Sequence, residues 1–145
     1  MTPWTLRRAT PEDASSLAVC IDAAYSIYAA KGIELPAVSD GLAEDIQNYI
    51  VWVAVLARQI VGGLVLIAQE DHAVLANVAV DPSATGLGLG RALLEQAERE
   101  TRGLGLGKLV LTTHADMLEN VRLYEYLGWS ETERRGSKVF MEKVL

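Results

Sequence analysis

The stretch Gly86-Leu87-Gly88-Leu89-Gly90 and the pair Asn120 and Tyr124 carry the residue types and spacings best suited to chemistry in this chain of 145 residues. Clustered glycines let backbone N–H groups close around an anion, so the first reads as a phosphate cradle. Asn120 and Tyr124 stand four apart in "MLENVRLYEYLG", one turn of helix, and share a face. Read from the helix alone, Tyr124 is a core tyrosine packed beside Val121 and Leu127.

The same Gly-Leu-Gly-Leu-Gly recurs at 103–107, and position separates the two copies. The first lies between a strand ending at Asp81-Pro82 and a helix beginning near Gly88, where unsatisfied N–H groups and the positive end of the helix dipole favour an anion. The second follows that helix, where the free groups are carbonyls and glycine's usual part is a left-handed cap. Anion binding is therefore expected at Gly86, Gly88 and Gly90, and helix termination at Gly103, Gly105 and Gly107. A nucleotide P-loop is excluded, because Gly90 is followed by Arg91-Ala92 rather than Lys-Ser/Thr. A dinucleotide fingerprint fits poorly, since the spacing is G-x-G-x-G and not G-x-G-x-x-G. A plain Gly-rich turn between strand and helix stays open as the alternative.

These residues need elements to hold them. "WTLRRA" alternates and reads as a first strand. Thr10-Pro11-Glu12-Asp13 reads as an N-cap with Pro and acids in the first turn, opening a helix to Gly32 with Leu17, Ile21, Ala24, Tyr25 and Tyr28 on its apolar stripe. "GIELPAVSD" reads as an irregular connection before a shorter helix around "GLAEDIQNY". A hairpin is expected to turn near Arg58 and Gln59, with Gly62 and Gly63 marking a bulge or a close backbone approach. "HAVLANVAVDP" reads as a central strand, apolar on both faces except at Asn77. A helix from about Gly88 to Thr101, a strand "KLVLTTH", the helix "MLENVRLYEYLG" and two strands near "WSETERR" and "SKVFMEKVL" complete the chain. The expected fold is α/β, a mixed α+β arrangement in a single domain over 1–145, with helices on both faces of a mixed sheet.

"NVAVDPSATGLGLGRALLEQAE" resembles the cofactor loop of the GCN5-related N-acetyltransferase (GNAT) family, Arg/Gln-x-x-Gly-x-Gly/Ala, which holds the pyrophosphate of coenzyme A. "HADMLENVRLYEYLGWSETERR" resembles that family's later motif, and the order of elements fits from one end to the other. Gly88 and Gly90 match the paired glycines; Thr85 stands where the family usually has Arg or Gln, a departure that Arg91 can offset in part. The resemblance implies a central, splayed sheet of about six to seven strands and acetyl-CoA as cofactor. It places the cofactor on Gly86, Leu87, Gly88, Leu89, Gly90 and Arg91, on the backbone of Val78 and Val80 where "NVAV" parts from "LVLTT", and on Asn120. Tyr124 takes the role of the proton donor to the departing thiolate. The implied activity is N-acyl transfer from acetyl-CoA to a primary amine, small molecule or peptide, by direct attack in a ternary complex. A non-catalytic acetyl-CoA sensor is the rival reading.

The acceptor side is less specified. Asn77 either bonds substrate or a catalytic water, or pins a neighbouring chain. Tyr25, Tyr28 and the loop through Glu34 and Leu35 fall in the region that walls the acceptor site in similar proteins; of the two tyrosines, Tyr25 on the apolar stripe reads more as core and Tyr28 near the helix end more as pocket. A protonated alkyl amine has a pKa of roughly 10 and must lose a proton before attack. Glu34, Glu70, His72, His114 and Asp116 are candidate bases, with His114 the first because it follows the cleft-forming strand. Water can serve instead.

Composition narrows the partners. A net charge of −6 and the absence of a Lys/Arg run argue against nucleic acid and anionic membrane. Cys20, the single cysteine, lies in an apolar helical pattern and reads as a buried structural thiol. The apolar runs are too short to span a bilayer and the first residues lack a signal-peptide core, so a cytoplasmic location is expected. No metal is expected, and related folds often pair as homodimers.

Overall fold

In the computed structural model, residues 3–33 and 41–145 are described. Alternation in the first segment gives β1 (Trp4–Arg8), and Thr10 then opens a short 3-10 turn (Pro11–Asp13) that runs into α1 (Ala14–Ala30). The entry is held by Asp13, whose carboxylate takes both Arg7 nitrogens at 2.7 and 3.0 Å and the Thr10 N–H at 2.7 Å. α2 (Leu42–Asn48) leads into β2 (Ile50–Leu56), β3 (Gln59–Ala68) and β4 (Ala73–Val80). A 3-10 turn (Pro82–Ala84) precedes α3 (Leu89–Gly103), followed by β5 (Lys108–His114), α4 (Leu118–Tyr126), β6 (Ser130–Arg135) and β7 (Lys138–Val144). Glu34 and Leu35, expected near the acceptor, lie outside the described residues.

The seven strands form one sheet in the order β1-β2-β3-β4-β5-β7-β6. Every described neighbouring pair is antiparallel except β4 with β5. That parallel pair holds at only two positions, Ala73 opposite Leu109 and Val74 opposite Val110. Beyond them the two strands part. A bulge that leaves Ala76 unmatched between Asn77 and Leu75 bends β4 at the point of departure. β4 is therefore covered less than a central strand should be: Ala76 is exposed and Asn77, Val78 and Val80 are half-buried.

Helices cover both faces, as expected. On one face α1 and α2 bury Leu17, Ile21 and Leu42 against Val51, Val53 and Val65. On the other, Leu93, Leu94 and Ala97 of α3 and Val121 and Tyr124 of α4 pack with Leu64, Leu66, Leu109 and Met141. Gly63 lets α1 lie close, because a Cβ there would come within 2.5 Å of Leu17 Cδ1 and 3.0 Å of the Trp52 carbonyl. The bulge sits just before the glycine pair, at Val61, which the register skips between Gly62 and Ile60. The hairpin turns on Ala57 and Arg58, both at positive φ, one residue earlier than expected. Among the described residues no helix is long and apolar enough to cross a membrane.

The two glycine stretches part as their positions require. At the end of α3, Leu106 N–H bonds the Thr101 carbonyl and Gly105 N–H the Arg102 carbonyl, with Gly105 at φ +77°. That is the Schellman pattern. Gly105 alone carries it, whereas Gly103 and Gly107 lack the positive φ that the shared assignment would need.

Candidate active site

The parting of β4 from β5 opens two cavities of about 470 Å³ each. One is a groove that runs from β4 to the first glycine stretch; the other lies over β5 and β7. Tyr25, Val78, Asn120 and Tyr124 line both, so they mark where the cavities meet.

The groove ends on the start of α3. Gly88 is the N-cap at φ +77°, and Gly86 stands at φ +82°. These left-handed turns aim successive N–H groups toward one side, and no side chain caps the helix. The first intrahelical bond there is Ala92 N–H to the Gly88 carbonyl, at 3.1 Å. Helix geometry leaves the N–H groups of Leu89, Gly90 and Arg91 without a carbonyl one turn back. A Cβ on Gly86, Gly88 or Gly90 would meet nothing within 4 Å, so the space over this turn is open to a ligand. Leu89 contributes only backbone, because its side chain is buried. Leu87 does not line the groove; its carbonyl accepts the Trp4 indole N–H at 2.9 Å, a brace from β1 that sequence reasoning missed. Thr85 gives its hydroxyl to the Pro82 carbonyl at 3.1 Å, and Arg91 lines the groove while bonding Glu95 at 3.2 Å.

The wall of the groove is the freed edge of β4. Asp81 N–H bonds Val61 O at 2.8 Å, continuing the ladder toward β3. Antiparallel pairing alternates, so the N–H and C=O of Val80 and Val78 face the opposite side, which β5 has vacated. An extended ligand with amide groups can add to that edge as a strand would.

Tyr124 sits at the junction with its side chain buried. Its ring tilts against Trp129 at 5.9 Å between centroids, and its carbonyl receives the Trp129 N–H at 2.9 Å. Lys143 of β7 fixes the end of the same helix, reaching the Leu127 carbonyl at 2.7 Å and Glu98 of α3 at 3.1 Å. Burial, reinforced by nearby Tyr25 and Tyr28, pushes the Tyr124 phenol above its ordinary range. It is a hydroxyl that keeps its proton. Asn120 shares the face of α4 with Tyr124, and its hydrogen bond to Tyr28 works against the rise that burial gives the Tyr28 phenol.

The predicted acceptor residues divide. Asn77 and His114 line the cavity over β5 and β7, while Tyr28 lines the glycine groove instead. Tyr25 packs against the α1 core cluster, as its stripe position predicts, and like Tyr124 also lines both cavities. His114 Nδ1 accepts the Asp116 N–H at 3.0 Å, so the neutral ring carries its proton on Nε2. The ring offers this cavity a donor and not a base. Glu70, His72 and Asp116 line neither cavity; His72 pairs with Asp71 at 2.7 Å. Sequence reasoning passed over Ser137, Lys138 and Phe140, which topology brings in by pairing β7 with β5. The period-2 spacing of Lys138 and Phe140 on a last, amphipathic strand was the available signal. Cys20 is buried, and burial pushes its thiol up to about 11, which leaves it an inert packing group.

A family model for the acetyltransferase (GNAT) family matches residues 21–129. The [ribosomal protein bS18]-alanine N-acetyltransferase of Escherichia coli (strain K12) is 43% identical over 65 residues, which are 45% of this chain and 44% of that protein. The chain thus spans less than half the length of that relative. The PaiA N-acetyltransferase of Thermoplasma acidophilum in complex with coenzyme A superposes with a TM-score of 0.88 at 19% identity, covering 98% of this chain and 99% of that one. The ribosomal-protein-S18-alanine N-acetyltransferase of Escherichia coli superposes with a TM-score of 0.81 at 24% identity, covering 97% and 93%.

Proposed function

The chain belongs to the acetyltransferase (GNAT) family, and we propose that it moves an acetyl group from acetyl-CoA to the primary amine of a small molecule or peptide. The observation that carries this is the junction: Tyr124 stands where a groove ending on an anion-ready helix N-terminus meets a second cavity. The N–H groups over Gly86 to Arg91 suit a pyrophosphate, and the free edge of β4 at Val78 and Val80 suits the amides of a pantetheine arm. Acetyl-CoA supplies a thioester whose carbonyl carbon an amine can attack.

The chain's own residues do the rest. Holding two reactants in one place is worth effective molarities of roughly 10⁵–10⁸ M, and the meeting of the cavities provides that placement. Tyr124 Oη holds a proton where a departing sulfur needs one, and burial keeps that proton in place across the working pH range. Asn120, one turn away, orients whatever lies in the groove beside Tyr124. No carboxylate is among the described residues that line the second cavity. With His114 Nδ1 already engaged, the amine gives up its proton to water.

Calorimetric titration with acetyl-CoA, with NAD and ATP as controls, tests the cradle, and thiol release over an amine panel tests the chemistry. Micromolar binding of acetyl-CoA alone, with turnover of at least one amine, is the expected result. No binding would overturn the reading; binding without turnover over a broad panel would favour the sensor.

A further inference from the structure

The wall of the second cavity carries more information than a general amine site needs. His114 and Lys138 are directly opposite each other across β5 and β7, and both line the cavity. Directly opposed residues hold their Cβ atoms about 4.5–5.5 Å apart on one face of the sheet. Two nitrogen donors are therefore set side by side. The tautomer of His114 is fixed by its bond from Asp116 N–H, so the ring presents Nε2–H. Lys138 forms no ion pair with any described carboxylate, in a chain whose net charge is −6. Most of the other cations here are matched: Arg135, its neighbour across β6 and β7, is held by Glu133 at 3.0 Å, and Arg134 by Glu131 at 2.8 Å. The nearest carboxylate to His114 is Asp116, 3.8 Å from Nδ1, the edge away from Nε2, and it does not line the cavity.

A site built for a bare cationic amine would place acids on this wall. It places a lysine and an imidazole donor there instead. Resting on the acetyltransferase reading, we infer that the cavity selects amines that also carry a carboxylate, gripped by Lys138 Nζ and His114 Nε2–H. Phe140 and Leu111 line the same cavity, so the acceptor's remaining bulk is apolar. The acceptor class is an apolar α-amino acid or a peptide whose acid group lies close to its free amine.

Matched pairs test this with the intact protein and acetyl-CoA: phenylalanine against phenethylamine, tryptophan against tryptamine, and Ala-Glu against Ala-Gln peptides. The first two read a free amino acid's carboxylate, the third a side-chain carboxylate. The carboxylate member should have the higher kcat/KM, by about tenfold, the factor expected of one charge-assisted hydrogen bond worth roughly 1.4 kcal/mol. Lys138→Met should erase that ratio, with the larger change a raised KM for the acid. Lys138→Arg should keep it and Lys138→Glu should reverse it. Equal or better use of the decarboxylated amines, or a ratio untouched by Lys138→Met, overturns the inference and leaves the acetyltransferase reading intact. So does turnover of the decarboxylated amines with no turnover of any acid. Failure to bind acetyl-CoA at all removes the reading beneath it.

Discussion

Replacing Tyr124 by Phe removes one oxygen from the junction and almost nothing else. The ring stays buried against Trp129, and the backbone bonds that end α4 at Leu127 and Trp129 are independent of the side chain. The fold should hold. A positioned proton donor contributes roughly 10²–10⁴ in rate, or about 3–5 kcal/mol of barrier. We expect kcat to fall by at least a hundredfold in a thiol-release assay while the Kd for acetyl-CoA, read by calorimetry, moves less than threefold. The pH profile supplies an independent check. Burial holds the phenol above its ordinary value of about 10, so it stays protonated throughout and no alkaline limb should interrupt the rise of kcat/KM toward pH 9. That rise follows loss of the amine's own proton and should persist in the variant. A kcat lowered less than tenfold refutes the assignment of Tyr124 as donor. An alkaline limb below pH 9 that vanishes in Tyr124→Phe refutes the argument from burial.

Three further perturbations have definite outcomes. Gly88→Val forces a β-branched residue to φ +77°, at a strain of roughly 1–3 kcal/mol, and should raise the acetyl-CoA Kd at least a hundredfold with an unchanged far-UV spectrum; normal binding by the folded variant would dismiss the cradle. Gly63→Ala puts a methyl into Leu17 and should cost roughly 1–3 kcal/mol, seen as a lower midpoint in urea, so an unchanged midpoint would mean that α1 can shift freely. Arg7 is the main reason Asp13 titrates at about 2, below its unfolded value of about 3.9; the stability it adds is complete above pH 4 and is lost as pH falls toward 2. With Arg7 half in solvent, the gain is about 1–2 kcal/mol, and the stability gap between wild type and Asp13→Asn should shrink over that window. A gap constant from pH 7 to pH 2 would refute it.

Local patterns carried the elements further than they carried the neighbours. β5 is the stretch "KLVLTTH" read as a strand, and α4 begins and ends within a residue or two of its motif, because apolar patterning is a local signal. The hairpin moved by one residue because Ala57 and Arg58 take a left-handed turn without the Asn or Gly that would announce it. The groove side was readable for the same local reason, since strand, glycines and helix follow one another in the chain. Of the second cavity beyond the junction, only Asn77 and His114 were read from the sequence. Its wall joins β5 to β7 across 24 residues, from His114 to Lys138, and nothing near either residue states that pairing. Tyr25 is both: it packs against the α1 core cluster as its stripe spacing predicts, and the parting of β4 from β5 also gives that position an opening.

The repeated pentapeptide makes the same point within one helix. Gly-Leu-Gly-Leu-Gly at 86–90 and at 103–107 flank α3, and each places one glycine at φ +77° beside the helix end, Gly88 before it and Gly105 after it. The backbone conformation is alike, yet the groups left over are opposite. Ahead of the helix, donors remain and a dipole's positive end faces the groove; behind it, Thr101 and Arg102 supply carbonyls that Leu106 and Gly105 satisfy at once. The first copy has binding capacity to spare and the second has used its own. What separates an open helix N-terminus from a closed C-terminal turn here is the direction of the chain through the helix, and identical residues cannot encode it.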